Sequence, residues 1–312
     1  MQHRRVGSSG LTVSTLGLGT MLWGTVVDAE TSRDLLTTYL EGGGTLVDTA
    51  FSYGQGAAES LLGSLVGDVV DRDAVQICTK AGISRTDGSR VVDTSRGALL
   101  RQLDSSLQRL GTDHVDLWLV HTWSDETPLS ETLGALEYAV TSGRARYVGV
   151  SNYAGWQAAR AFSLLESARV PLVAHQLEYS LVARDAELEA LPAGTALGIG
   201  GLAYSPLGGG VLAGRYRFGV PSGSRAAMRE FPDFVAERLG EREVAVAEAV
   251  ATAAEGLGIS ATEVALAWVS DRPGVTAAVV GARTVAQLRS ALAGADLQLP
   301  AELRAALDEV SD

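Results

Sequence analysis

Residues 95–121 read Ser-Arg-Gly-Ala-Leu-Leu-Arg-Gln-Leu-Asp-Ser-Ser-Leu-Gln-Arg-Leu-Gly-Thr-Asp-His-Val-Asp-Leu-Trp-Leu-Val-His and contain one helix-to-strand unit. Apolar residues recur at helical spacing through Ser95–Leu110, which predicts an amphipathic helix. Val115–Val120 is a short apolar run that predicts a buried strand, and His121 follows it directly. Helices that alternate with such strands are typical of α/β folds.

The same alternation continues along the whole chain. The predicted strands are Ser14–Leu18, Thr45–Asp48, Ala74–Thr79, Val115–Val120, Ala145–Val150, Leu172–Gln176, Gly198–Ala203 and Thr276–Val280. The amphipathic stretches between them include Ala29–Glu41, Ala58–Val66, Ser95–Leu110, Glu131–Ser142, Gly155–Ser167, Arg242–Gly256 and Thr284–Ala293. Eight strands, each followed by a helix, match either a closed (β/α)8 TIM barrel or an open, doubly wound sheet. The regular spacing and the lack of a Pro/Ser-rich linker favour the barrel, as a single domain over residues 1–312.

Two segments interrupt this rhythm. Residues 2–13 hold two short apolar runs around Gly7-Ser8-Ser9-Gly10, which predicts a small β-hairpin ahead of the barrel. Residues 205–241 form a long insertion after strand seven that contains Arg215, Arg217, Arg225 and Arg229. Loops at the C-terminal end of late barrel strands often bind phosphate, so we expect a functional role for this one.

The composition narrows the functional class. Hydrophobic residues make up 46% of the 312 residues, and 25 Lys and Arg against 37 Asp and Glu give a net charge of −12. So acidic a chain has no general attraction for nucleic acid or anionic membranes, and we expect neither as a partner. The oligomeric state stays open, with a homo-oligomer allowed.

Cysteine content and the N-terminal residues bear on the cellular compartment. Cys78 is the only cysteine, so no intrachain disulfide forms, and its apolar neighbours predict a buried small side chain. Residues 1–20 lack the apolar core of a signal peptide, and no apolar run reaches the length of a membrane span, about 18 residues. We therefore expect a cytoplasmic protein.

Four groups with acid–base chemistry follow consecutive predicted strands. Asp48 ends one strand and Tyr53 lies in the loop after it, while Lys80 and His121 each come directly after the next two strands. In a β/α barrel all four converge on the C-terminal mouth, where active sites of this fold lie. An ammonium beside a phenol lowers the phenol's pKa, so Asp48, Lys80 and Tyr53 would form a tuned general acid. His121 would orient a substrate oxygen, and the residues offer no metal site.

The chain resembles the aldo-keto reductase superfamily over nearly its whole length. The resemblance is carried by Leu16-Gly17-Leu18-Gly19-Thr20, Val47-Asp48-Thr49-Ala50 with Tyr53-Gly54 and Glu59, Lys80, Asp116–His121, Val148-Gly149-Val150-Ser151-Asn152, residues 203–210 and Val280–Thr284 with Gln287. It is closest to the branch that includes voltage-gated potassium-channel β subunits and bacterial aryl-alcohol and sugar reductases.

The resemblance implies roles for individual residues. It implies Tyr53 as proton donor with Asp48, Lys80 and His121 as partners, and NADPH/NADP+ as cofactor. The implied cofactor-binding residues are Thr20, Met21, Asp48, Ser151, Asn152, Gln176, Tyr204, Ser205, Pro206, Leu207, Gly208, Gly209, Arg215, Arg225, Gly281, Arg283 and Gln287. Among them Tyr204 would stack on the nicotinamide, and Arg283 would hold the 2′-phosphate through a guanidinium–phosphate pair.

The sequence departs from the family pattern at several positions. Ala291 stands where the family usually has an asparagine that contacts adenine, and Ser290 where an acid is common, which weakens adenine recognition by about 1 kcal/mol. Trp23, Phe51 and Trp123 are expected to form an aromatic substrate pocket together with Tyr53 and His121.

Three functional hypotheses follow. The leading one is a carbonyl reductase in which NADPH reduces a small aldehyde or ketone and Tyr53 protonates its oxygen. A second is a reductase of a nucleotide-linked keto- or enoyl-sugar in secondary metabolism, for which Arg85, Arg90 and the arginines of residues 215–229 would contact an anionic substrate. A third, from another class, is a cofactor-occupied binding subunit that senses redox state through a partner.

Overall fold

Eight parallel strands close into a barrel. The computed structural model describes residues 1–86, 88–217, 219–221 and 238–312. The barrel strands, in their order around it, are β3 (Leu16–Gly19), β4 (Leu46–Asp48), β5 (Gln76–Ala81), β8 (Val115–Val120), β9 (Ala145–Ser151), β10 (Leu172–Glu178), β11 (Gly200–Tyr204) and β12 (Val275–Val280). Because β12 pairs with β3, no open edge remains, and the predicted TIM barrel is confirmed over the open sheet.

Helices surround the barrel. In the described residues they span Ala29–Glu41, Ala57–Leu65, Arg96–Leu110, Leu129–Thr141, Gly155–Ser167, Ala190–Leu197, Glu241–Leu257, Ala261–Ser270, Val285–Ala295 and Ala301–Val310. The predicted start of strand seven at Gly198 is wrong. Gly198 ends the helix Ala190–Leu197 with φ +71°, a left-handed backbone that glycine adopts readily, and the strand begins at Gly200.

The predicted N-terminal hairpin is present and closes the bottom of the barrel. It consists of β1 (His3–Arg5) and β2 (Thr12–Ser14), paired antiparallel. Its Val6, Leu11 and Val13 pack in one apolar cluster with barrel side chains that include Leu46, Leu117 and Leu119. The Ser8 amide donates to Gly198 O at 2.8 Å, just ahead of β11, so the hairpin lies at the N-terminal strand ends.

Inside the barrel, the strand side chains form an apolar layer and, closer to the C-terminal mouth, a polar layer. Successive side chains alternate between the two faces, so residues two apart share a face. Leu46 and Cys78 lie in the interior cluster, and Asp48 and Lys80 follow them on the same face, one step closer to the C-terminal mouth. The buried Cys78 confirms the expectation of a small core side chain.

A second hairpin extends from the C-terminal end of β5. Its strands are β6 (Ile83–Thr86) and β7 (Ser89–Val92), paired antiparallel with Ile83 opposite Val92. The pattern of strands and helices along the sequence did not predict this hairpin. Because β5 carries Lys80 and ends at Ala81, this hairpin begins two residues beyond, at the mouth of the barrel.

The long segment after strand seven is described in part. Gly208–Gly210 form a short 3-10 turn soon after β11, which ends at Tyr204. Arg225 and Arg229 lie outside the described residues. Among the described helices, none by itself has both the length and the apolar character of a membrane span. One pair of helices, Glu241–Leu257 and Ala261–Ser270, bent by 104°, meets these criteria of length and composition when the two are taken together.

The interior packing yields a stability prediction. Leu119 is fully buried in the barrel, whereas Leu188 is 85% exposed. We expect Leu119→Ala to lower the free energy of unfolding by about 2–5 kcal/mol, because it leaves a cavity among β-strands that have little freedom to collapse. Leu188→Ala, the matched control, is expected to change it by less than about 0.5 kcal/mol. Urea unfolding measures both; similar losses would contradict the position of Leu119 in the core.

Candidate active site

A buried ion pair between neighbouring strands is the centre of the site. Lys80 Nζ lies 2.6 Å from Asp48 Oδ1, and Lys80 is fully buried. The same ammonium donates to Thr49 O at 2.8 Å and lies 3.5 Å from Tyr53 Oη. Burial alone would lower the pKa of Lys80, but the carboxylate of Asp48, aided by Tyr53, outweighs burial and raises it above its ordinary value. Lys80 therefore carries a positive charge next to the phenol.

Both oxygens of the Asp48 carboxylate are engaged. Oδ1 accepts from Lys80, and Oδ2 accepts from Gln176 Nε2 at 2.8 Å. The backbone oxygen of Asp48 accepts from Thr20 N at 2.9 Å and from Thr20 Oγ1 at 3.1 Å. Lys80 on β5 and Gln176 on β10 thus hold the carboxylate of Asp48, and Thr20, just after β3, holds its backbone oxygen. The fixed carboxylate in turn holds the ammonium of Lys80.

Tyr53 faces Lys80 on one side and His121 on the other. Lys80 Nζ is 5.1 Å from the Tyr53 ring centroid, and the rings of Tyr53 and His121 meet edge to face with centroids 6.0 Å apart. The expectation of a lowered phenol pKa is wrong for this state of the protein. Burial raises the pKa of Tyr53 above its ordinary value, and the charge of Lys80 offsets only part of that increase. The phenol therefore holds its proton at neutral pH.

His121 is a neutral imidazole. Burial lowers its pKa well below the ordinary value, and the charges of Lys80 and Arg90 lower it further. Its Nδ1 is buried and has no hydrogen-bond partner in the described part of the chain. Tyr53 and His121 line the same cavity, so both can reach one substrate oxygen.

The loop that carries Tyr53 is held from behind by a buried carboxylate. Glu59 is fully buried; its Oε1 accepts from Thr79 Oγ1 at 2.7 Å and its Oε2 accepts from Arg109 Nη1 at 3.1 Å. Arg109 also donates to Phe51 O at 3.2 Å, and its guanidinium lies 4.6 Å from the Phe51 ring centroid. Gly56 has φ +99°, and a Cβ there would lie 2.4 Å from the Arg109 guanidinium carbon.

One cavity of about 770 Å³ opens at this end of the barrel. The predicted site residues that line it are Met21, Trp23, Asp48, Tyr53, His121, Ser151, Asn152, Gln176, Tyr204, Ser205, Pro206, Leu207, Gly209, Arg215, Gly281, Arg283 and Gln287. Further lining residues that the sequence analysis did not assign are Gly19, Leu22, Ile83, Gly210, Ala213, Thr262, Val279, Val280, Ala282 and Ala286.

Several predicted residues lie outside that lining. Thr20 and Gly208 are buried behind it. Phe51 turns toward Arg109, and Trp123 packs edge to face on Tyr153 and Trp156 while its Nε1 donates to Asp125 Oδ1 at 2.7 Å. Of the expected aromatic pocket, only Trp23 and Tyr53 face the cavity together with His121. Arg225 lies outside the described residues.

Two polar residues just past strand ends line the cavity and have strained backbones. Asn152 and Ser205 have φ of +56° and +53°, a region that non-glycine residues enter at a cost and that is common at functional sites. Asn152 Nδ2 donates to His121 O at 3.0 Å, and Asn152 Oδ1 accepts from Tyr204 Oη at 2.8 Å. This network fixes the planar face of Tyr204 at the cavity wall.

Two arginines also line the cavity. Burial lowers the pKa of Arg283, and the charge of Arg215 lowers it further. Arg215 Nε is buried and has no hydrogen-bond partner in the described ranges. Beside them the helix Val285–Ala295 begins, with the Thr284 side chain accepting from Gln287 N and Gln287 Oε1 accepting from Arg283 N. Adjacent cations at a helix N-terminus suit a phosphate group.

The structure separates Ala291 from Ser290. Ala291 is buried in a core cluster and is absent from the cavity lining, whereas Ser290 lines the cavity. Ser290 Oγ lies 2.8 Å from Ser260 Oγ. The weaker adenine recognition expected from an alanine at 291 stays a prediction.

Comparisons with known proteins identify the family of the chain. The model of the Aldo/keto reductase family matches residues 15–312. The chain belongs to this family. It is 36% identical to the uncharacterized oxidoreductase YrpG of Bacillus subtilis (strain 168), over 99% of this chain and 96% of that protein. It is 35% and 34% identical to the L-glyceraldehyde 3-phosphate reductases of Escherichia coli O157:H7 and strain K12, over 92% of this chain and 86% of each relative.

Family membership makes the chain an oxidoreductase that acts on carbonyl compounds with a nicotinamide cofactor. The residues at the cavity fit such a cofactor: a flat aromatic face at Tyr204, polar strand ends beside it, and the orphaned Nε of Arg215 next to Arg283. Within the described ranges, no cluster of three or more His, Cys, Asp or Glu side chains has the arrangement of a metal site.

The support behind Tyr53 can be tested by stability. We expect Arg109→Met to lower the free energy of unfolding by about 3 kcal/mol, because the buried carboxylate of Glu59 loses its cation. Arg101→Met on the same helix is the matched control, since Arg101 is exposed; we expect less than about 0.5 kcal/mol there. Denaturant unfolding of both variants measures the difference. Equal losses would show that Glu59 does not depend on Arg109.

Proposed function

We propose that this protein is an NADPH-dependent reductase of a small aldehyde or ketone, with Tyr53 as the general acid. The observation that carries the proposal is the position of the Tyr53 phenol, 3.5 Å from Lys80 Nζ and edge to face with His121, in the wall of a cavity that Arg215 and Arg283 also line. A proton donor and a phosphate-binding end in one cavity fit carbonyl reduction.

The protein's own groups account for the proton. A bound reduced nicotinamide would supply a hydride to the carbonyl carbon. As negative charge develops on the carbonyl oxygen, Tyr53 transfers its proton to that oxygen, and the Lys80 ammonium stabilises the phenolate that remains. His121, being neutral, donates a hydrogen bond that orients the oxygen without competing as an acid. Asp48 holds Lys80 charged throughout.

The choice of NADPH over NADH rests on the arginines. Arg283 and Arg215 both line the cavity, and burial together with the charge of Arg215 lowers the pKa of Arg283. A phosphate bound by both guanidinium groups would accept charge-assisted hydrogen bonds from them. The 2′-phosphate of NADPH is the group that distinguishes the two cofactors.

The relatives favour a small aldehyde as substrate. Two of them are named for the reduction of L-glyceraldehyde 3-phosphate. Trp23, Tyr53 and His121 all line the cavity that would hold the substrate. We therefore expect short aldehydes to be better substrates than large ketones.

The general-acid role predicts how removal of the Tyr53 hydroxyl group changes the rate of reduction. We expect Tyr53→Phe to lower kcat for aldehyde reduction by roughly 10²- to 10⁴-fold, because the proton donor is lost while the ring remains. Steady-state oxidation of NADPH measures the rate, and a fluorescence titration checks that the variant still binds NADPH. Full activity in Tyr53→Phe would refute the assignment.

The pH profile provides a second readout of the same residue. Because the pKa of Tyr53 is raised, its proton is retained until the pH exceeds the ordinary phenol value of about 10. The reductive kcat of the wild type is therefore expected to stay level through neutral pH and to fall only in strong alkali. A fall in kcat between pH 6 and 8 would assign the proton to another group.

The cofactor assignment predicts a selective loss. We expect Arg283→Met to raise the KM for NADPH by roughly 10- to 100-fold, the size of a lost charged hydrogen bond, while the KM for NADH stays within about twofold. Arg289→Met is the matched control, because Arg289 is exposed on the helix Val285–Ala295 that follows Arg283 and is outside the cavity lining. Equal increases for both cofactors would remove Arg283 from 2′-phosphate binding.

A further inference from the structure

The hairpin β6–β7 brings a cation to the substrate end of the cavity. Ile83 and Arg90 both line the cavity, together with Tyr53 and His121. Arg90 is directly opposite Arg85 in the hairpin register. Residues opposite each other in an antiparallel pair share a face, so both guanidinium groups start from the same side of the hairpin.

The two arginines then diverge. Arg85 Nη1 turns back to the hairpin turn and donates to Gly88 O at 3.1 Å, and Arg85 does not line the cavity. Arg90 makes no hydrogen bond or ion pair with any other described residue. Like charges directly opposite destabilise a hairpin, so an uncompensated Arg–Arg pair has a cost that a ligand anion would offset.

No described carboxylate at the cavity neutralises Arg90. Asp48 is the acidic side chain in the described lining, and Lys80 and Gln176 already occupy its two oxygens. The cations that suit the cofactor phosphate, Arg215 and Arg283, are a separate pair coupled to each other. Arg90 is instead coupled to His121, whose pKa its charge lowers after the effects of burial and Lys80.

An unpaired donor belongs to another residue of the cavity lining. Trp23 is 1% exposed and lines the cavity, and its indole Nε1 is buried without a hydrogen-bond partner in the described part of the chain. Buried donors are normally paired, so this indole N–H supports a ligand acceptor at the cavity.

We propose that Arg90 is a specificity-determining residue that selects aldehydes bearing a carboxylate or phosphate near the carbonyl. The proposal rests on the proposed reductase function and names its substrate class. The carbonyl oxygen lies between Tyr53 and His121, and the anionic group of the same molecule pairs with the Arg90 guanidinium. Guanidinium pairs with carboxylate and with phosphate in the same bidentate way, so both anions belong to the class.

Two substrate pairs that differ in charge test the proposal. The carboxylate pair is 4-formylbenzoate and its methyl ester, and the phosphate pair is glyceraldehyde 3-phosphate and glyceraldehyde. We expect the wild type to prefer the anion of at least one pair, and Arg90→Met to lower kcat/KM for that anion by about 10-fold, the effect of one charge-assisted contact. The loss should be mainly in KM, and the neutral partner should stay within about twofold.

Two further variants separate charge from structure. Arg85→Met, which removes the opposite arginine outside the cavity, is expected to keep the preference for the anion, and Arg90→Lys to retain part of it. The wild-type preference should weaken with added salt, since Arg90 is exposed. The pair that loses its preference in Arg90→Met identifies carboxylate or phosphate as the anion.

Two outcomes would overturn the proposal: equal effects of Arg90→Met on anionic and neutral aldehydes, or no preference for either anion in the wild type. These outcomes are distinct from failure of the proposed reductase function. In that case the wild type would oxidise NADPH with none of the four aldehydes, and Tyr53→Phe would change nothing.

Discussion

The ion pair of Asp48 and Lys80 is the interaction on which the rest of the mouth depends. Two opposite charges out of water are tolerated only when each has its full set of partners, and removal of one leaves a costly lone charge. Here the partners come from three segments. Thr49 O and Tyr53 Oη, after β4, contact the ammonium, while Gln176 Nε2 on β10 and Lys80 on β5 contact the carboxylate. The demand for compensation therefore fixes the relative positions of β4, β5 and β10 at one level of the barrel.

Strand periodicity and barrel closure explain why the sequence was sufficient to locate the central residues. Strand periodicity puts Asp48 on the face of Leu46 and Lys80 on the face of Cys78, and the apolar members of each pair must be inside. His121 follows Val120, the last residue of β8, so strand ends that meet in a closed barrel bring it to the same rim. Local pattern and closure together were sufficient for the fold and for the four acid–base groups.

The sequence was insufficient to predict the direction of a side chain where that direction depended on a rotamer or on the path of a loop. Phe51 and Trp123 follow strands that end at the mouth. Phe51 stacks on Arg109, however, and Trp123 packs edge to face on Tyr153, and both contacts join residues far apart in sequence. Ala291 and Ser290 differ by one helical position, about 100° of rotation, which decides between core and cavity. The phenol pKa was misjudged because burial, absent from a sequence, exceeds the effect of the nearby charge.

The buried thiol in β5 has a practical consequence. Cys78 is the chain's single cysteine, fully enclosed, and burial raises its pKa well above the ordinary value, so in the closed barrel it is neither accessible nor ionised. A thiol-alkylating reagent would modify it only in molecules whose strands have separated around it. The rate of that modification therefore measures how often the barrel opens at a position two residues from Lys80, without any introduced label.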